Sequence, residues 1–203
     1  MKRIHYLSGV TISLFIGVHF FNHFMSVFGA EMHIEVMESL RVVYRNIIIE
    51  TILMAAVLIQ IVSGGMLVLT KRKEQKTFYQ KVQVYTGLYL AMFLVIHVSA
   101  VLSGRLLMGL DTNIYFGVAG LNTFPFSLFF IPYYGLAVLS FFGHLAAMHS
   151  QRMKRSVLGL SPKRQSDIIL VMGLITMLII FSGLTNGFSG LKIPDTYKIM
   201  TGS

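Results

Sequence analysis

With 203 residues, 55% of them hydrophobic and 12% charged, and a mean hydropathy of +0.71, the chain has too few charges to cover a water-soluble globule of its size. Its net charge of +9 falls in separate clusters between apolar runs, which excludes a nucleic-acid footprint. The absence of cysteine excludes disulfides, thiolate-bound iron–sulfur clusters and cysteine-ligated haem.

Five apolar stretches follow one another, over 7–29, 48–70, 84–104, 126–147 and 168–187. Each approaches the ~20 residues that cross ~30 Å of hydrocarbon at ~1.5 Å per residue, and an open sheet could not satisfy its backbone there. The expected fold is all-α, an integral membrane bundle of five transmembrane helices forming one domain over 1–203. Lys2 and Arg3 before the first stretch imitate a signal peptide. That stretch is longer than the ~7–15 residues of a signal core and carries histidines, so it reads as a span. After it, Ile34, Val36, Met37, Leu40 and Val43 alternate with Glu31, Glu35, Glu38 and Arg41 in a helical rhythm. An amphipathic interfacial helix over 31–44 is expected. Pro125 and Pro132 suit the start of the fourth helix better than its interior.

Twelve of the seventeen basic residues are Lys2, Arg3, Lys71, Arg72, Lys73, Lys76, Lys81, Arg152, Lys154, Arg155, Lys163 and Arg164, and they share one side of this arrangement. Arg41, Arg45, Arg105, Lys192 and Lys198 occupy the other. The positive-inside rule then places the N-terminus in the cytoplasm and the C-terminal tail outside. Small residues recur at one-turn spacing, as in Gly9, Ser13 and Gly17, in Ser99 and Ser103 with Ala100 and Gly104, and in Gly143 and Ala147. Such spacing serves close helix packing and equally a flat cofactor between helices.

Ionisable side chains inside a span cost several kcal/mol unless paired or coordinated, and His19, His23, His97 and His144 lie there. His5, His33 and His149 fall near span ends, where an interfacial imidazole is ordinary. At ~1.5 Å per residue, His19 and His97 lie about 21 and 22 Å from the cytoplasmic edge on helices that run the same way, whereas His144 lies only about 9 Å deep. Two neutral imidazoles at one depth on different helices are what axial ligation of a non-covalent b-type haem requires. Hydrogen bonding across a helix contact and a proton or ion pathway are the alternatives. His23, one turn beyond His19 and about 27 Å deep, is the rival ligand.

The segments Arg3-Ile-His-Tyr-Leu-Ser-Gly9, Phe15-Ile-Gly-Val-His19, Phe93-Leu-Val-Ile-His97-Val, and His144 followed by Leu160-Ser-Pro-Lys-Arg164 carry a resemblance along nearly the whole chain. It resembles the cytochrome b membrane-anchor subunit of the succinate dehydrogenase and fumarate reductase family, the succinate:quinone oxidoreductases, in the single-chain, five-helix, di-haem form. That family places one axial histidine on each of its first four helices and pairs the first with the third and the second with the fourth. The resemblance implies that His19 and His97 ligate the haem nearer the outer face, and that His144 matches one ligand of a second haem. The partner of His144 is expected near Leu58-Ile-Gln60-Ile-Val-Ser-Gly64, where Gln60 stands in place of a histidine. A glutamine amide is a poor haem ligand, so one haem b is expected, with Gln60 and His144 facing each other at the remnant of the second site.

Arg41, Arg45 and Arg105 are the expected partners of the haem propionates, since the cofactor lies toward their side and guanidinium pairs well with carboxylate. The function expected is electron transfer linked to a membrane quinone. The resemblance implies flavoprotein and iron–sulfur subunits as partners, and a free-standing cytochrome, alone or as a homo-oligomer, is the alternative. Membrane lipid is the other expected partner, and the location is the cytoplasmic membrane, crossed several times. A non-redox anchor and a transporter are the competing classes, the latter short of carboxylates apart from Glu50 and Asp167 near span ends.

Overall fold

The computed structural model describes residues 1–71 and 77–202, so Arg72, Lys73 and Lys76 of the basic loop lie outside the described residues. The described chain is helical, without a named strand; the only sheet-like pairing among those residues is an isolated bridge between Val157 and Leu160. Five helices are long and apolar enough to cross a membrane: α1 (Lys2–Met25), α3 (Ile47–Lys71), α4 (Phe78–Leu106), α6 (Ser127–Arg152) and α7 (Pro162–Leu184). Local signals start or stop several of them. Thr77 and Gln80 close a reciprocal capping box on α4, and Ser161 accepts from the Arg164 N–H ahead of Pro162 at the first position of α7. α1 runs into a short 3-10 turn, Ser26–Phe28, and the positive φ of Gly29 (115°) turns the chain back.

The amphipathic segment forms α2 (Ala30–Tyr44). Its His33, Met37 and Arg41 recur every four residues, and this face turns inward. Two short helices, α5 (Ile114–Val118) and α8 (Asp195–Lys198), complete the same end of the bundle. Pro132 departs from expectation: it lies in the second turn of α6, beyond the N-terminus. The missing N–H is one that would have met the Leu128 carbonyl, so the loss falls at the frayed start of the helix.

The spans pack in a ring, α1 on α3, α3 on α4, α4 on α6, α6 on α7, and α7 back on α1. Glycines make the tightest of these contacts. A Cβ on Gly173 of α7 would lie 2.5 Å from Phe142 Cβ of α6, and one on Gly143 would lie 3.0 Å from Thr86 of α4. The end bearing Lys2, Arg152 and Lys163 is tied across helices by Arg152 over the Tyr6 ring at 4.7 Å and by Tyr79 donating to Asp167 at 2.6 Å. The buried apolar cluster, Ile114, Val118, Leu121, Ile180, Phe181 and Leu184, sits at the opposite, far end. Between the ends the ring surrounds a partly open cavity of about 1010 Å³, lined from Lys2 and Arg152 to Arg41 and Asn113. Outside the ring, large apolar side chains stand exposed, Leu14 by 71% and Leu69 by 78%.

Candidate functional site

The cavity has two polar layers. In the layer toward the far end, α1 contributes His19 and α4 contributes His97, with ring centres 6.3 Å apart. Each ring is held from its own helix by an aromatic one turn earlier. Phe15 stacks on His19 at 5.8 Å and Phe93 on His97 at 5.0 Å. Tyr134 of α6 meets the edge of His97 and donates its hydroxyl to the Gly117 carbonyl, so the third wall is anchored to α5.

A metal bridging two imidazoles through metal–nitrogen bonds of about 2.0 Å sets ring centres roughly 6 Å apart. The observed 6.3 Å fits that span. Among the described residues no three His, Cys, Asp or Glu groups converge on one metal ion.

His23 is turned toward its neighbours on α1 and α2. Its Nε2 shares a 3.1 Å hydrogen bond with His19 Nε2, and its Nδ1 shares one of 3.4 Å with His33 Nε2, which also meets Asn22 Nδ2 at 3.1 Å. His33 therefore overturns the expectation of an ordinary interfacial imidazole: it is 2% exposed. The fold of α2 over the far end buries it, and burial together with the nearby Arg41 cation lowers its pKa to about 4. The signal was the four-residue stripe of His33, Met37 and Arg41.

All three expected arginines line the far end of the cavity. Arg105 pairs with Glu50 at 2.6 Å, and Arg45 donates to Thr112 at 3.1 Å. Arg41 Nη2 lies 2.8 Å from Asp111 Oδ1 as an ion pair without hydrogen-bond alignment, and Arg41 Nε has no partner. Three cations against two carboxylates leave this end able to take up an anion.

In the layer toward the basic end the structure does not bring Gln60 and His144 into hydrogen-bond contact. Gln60 of α3 accepts from Ser8 at 2.7 Å and meets His5 Nε2 at 3.3 Å, because the small Gly9 lets α1 approach it. His144 lies against Gly87 of α4 and donates from Nδ1 to the Gln83 carbonyl at 3.1 Å. His5, expected as an ordinary interfacial residue, is half-buried over Gly64 and lines the same cavity. Only its position near a helix start had set it aside. His149 bonds Gln165 of α7 at 2.9 Å, away from the cavity lining.

No family model, curated protein or solved structure matches the chain. The functional reading therefore rests on the geometry of the site.

Proposed function

We propose that the protein is a membrane-embedded b-type cytochrome that holds haem between His19 and His97 and exchanges electrons with a membrane quinone. The observation that carries this reading is the pair of cavity-facing imidazoles from α1 and α4 at 6.3 Å, below an arginine-rich end where Arg41 Nε has no partner. The exposed apolar exterior asks for lipid as solvent. The clustering of basic residues at one end supports a cytoplasmic N-terminus and basic end in the cytoplasmic membrane, with the far end outside.

Bound haem would supply the one-electron chemistry. The chain's own residues ligate it, exclude water with Phe15, Phe93 and Tyr134, and offer Arg41, Arg45 and Arg105 to its carboxylates. Service as the anchor of flavoprotein and iron–sulfur subunits and service as a free-standing cytochrome are both compatible with this site. A second reading, a non-redox anchor, is favoured by one observation: His19 Nε2 already hydrogen-bonds His23.

Haem content and optical and paramagnetic spectra of the purified chain separate the two. The cytochrome reading expects a reducible low-spin haem whose six-coordinate signal disappears in His19→Ala and in His97→Ala and survives in His23→Ala. A colourless wild-type protein from haem-replete membranes, or a signal that survives in His97→Ala, refutes it.

A further inference from the structure

The connection between α6 and α7 spans nine residues, 153–161, and folds into a tight hairpin. Val157 and Leu160 exchange both backbone hydrogen bonds, at 3.2 and 2.9 Å, across Leu158 and Gly159. Both central residues have positive φ, 51° and 75°, the signature of the primed two-residue turn. Glycine takes that conformation freely, and a bulky leucine does not. Asn or Gly at position 158 would close the same turn without strain. A leucine held there answers to something other than chain reversal.

Two helices fix this turn in place. Gln165 of α7 donates through Nε2 to the carbonyls of Arg155, at 3.2 Å, and Leu160, at 2.8 Å, and its Oε1 accepts from His149 Nε2 of α6 at 2.9 Å. At the tip Leu158 is 94% exposed, more than any other large apolar side chain among the described residues, and Val157 beside it is also exposed. Exposed cations flank the tip on both sides, Lys154 and Arg155 before it and Lys163 and Arg164 after it. No carboxylate stands in the sequence between Asp111 and Asp167, and among the described residues none forms an ion pair with these four.

The positive-inside rule accounts for the cations and not for the leucine. An apolar point flanked by long-stemmed cations matches the boundary where lipid phosphates lie over acyl chains, since Lys and Arg lay their stems along apolar surface and keep their charge at the phosphates. Nine residues anchored at both ends carry the tip at most ~15 Å from the helix ends, which keeps it near that boundary. We propose that the hairpin over 157–160 is an anchor for anionic phospholipid, with Leu158 inserted among acyl chains and Lys154, Arg155, Lys163 and Arg164 on negatively charged headgroups. The proposal rests on the membrane-spanning fold and on no property of the His19–His97 site, so the two readings fail separately.

The chain has no cysteine, so Leu158→Cys gives a single labelling point for an environment-sensitive nitrobenzoxadiazole group. The labelled chain is placed in nanodiscs of phosphatidylcholine alone and of phosphatidylcholine with phosphatidylglycerol. The expected result is blue-shifted emission in the phosphatidylglycerol discs, quenched by acyl-chain spin labels and not by iodide, with the shift lost when Lys154→Gln and Arg155→Gln are added. Unlabelled wild type should also retain more phosphatidylglycerol through purification than Leu158→Gly, a substitution that suits the turn and so tests the side chain apart from the fold. Aqueous emission with full iodide quenching in both kinds of disc overturns the proposal, as does equal lipid retention by wild type and Leu158→Gly. Equal insertion with and without phosphatidylglycerol overturns the recognition of anionic headgroups. A shift that appears only when soluble protein is added overturns the lipid as occupant and assigns the hairpin to a protein partner.

Discussion

Replacing Arg41 with Met separates the needs of the protein from the needs of its ligand. Without a ligand, Arg41 has buried Nε and Nη2 atoms that make no hydrogen bond, and one ion pair to an Asp111 that is 44% exposed and also accepts from Asn113. A buried unsatisfied donor costs about 1–3 kcal/mol, so removing it in favour of an apolar side chain of similar length leaves the haem-free protein at least as stable. Asp111 is wet enough to stand alone. Against a bound propionate the same guanidinium contributes a charge-assisted hydrogen bond of about 1.5–3 kcal/mol, so its loss weakens haem binding by about 10- to 150-fold. The assay pairs haem titration into detergent-solubilised haem-free protein with thermal unfolding of that protein. Unchanged haem affinity together with a haem-free stability lowered by more than about 1 kcal/mol would show that Arg41 is structural and that propionates do not point to this end.

Three further outcomes follow from single features. Burial and Arg41 hold His33 at a pKa of about 4, below the ordinary 6.5, so the unfolded chain takes up a proton that the folded chain refuses. Stability is then fully present above pH 6.5 and falls by about 3 kcal/mol as pH drops toward 4; melting curves at pH 7.5, 5.5 and 4.5 should steepen this loss in wild type and flatten it in His33→Gln. Gly173→Val drives a side chain into Phe142 and should cost about 1–3 kcal/mol by overpacking the contact between α6 and α7; an unchanged melting temperature would contradict the packing described. A reporter fused after Ser203 should be active outside the cytoplasm, and a cytoplasmic signal would reverse the orientation drawn from the basic end.

The spans were legible because hydropathy over about 20 residues is a one-dimensional signal, and all five helices occupy the expected stretches with ends moved by a few residues. The stretch over 84–104 extends to Phe78 because Thr77 and Gln80 cap it there, a signal set by side chains more polar than a hydropathy window counts. Depth counting also brought His19 and His97 to the same layer, since rise per residue is nearly constant. Rotation about the helix axis was not legible. Which way His5 or His23 turns depends on neighbours such as Gly64 and His33 that lie on other elements. Connections were the other blind spot: an amphipathic rhythm over 31–44 fits an interfacial helix and an inward-folded cap equally, and only the fold-back at Gly29 decides that α2 closes over the cavity.

That cap also bears on where a ligand sits. Buried polar atoms in folded proteins almost always find partners, so the exceptions carry information. Among the described residues they are Asn22 Oδ1, His33 Nδ1, Arg41 Nε and Arg41 Nη2. These groups come from α1 and α2 and belong to one neighbourhood, where His33 bonds Asn22 and feels the Arg41 charge. A carboxylate-bearing ligand would offer Arg41 Nε the acceptor it lacks. The basic layer differs in kind, since His5 Nε2 meets Gln60 there and His144 Nδ1 donates to the Gln83 carbonyl.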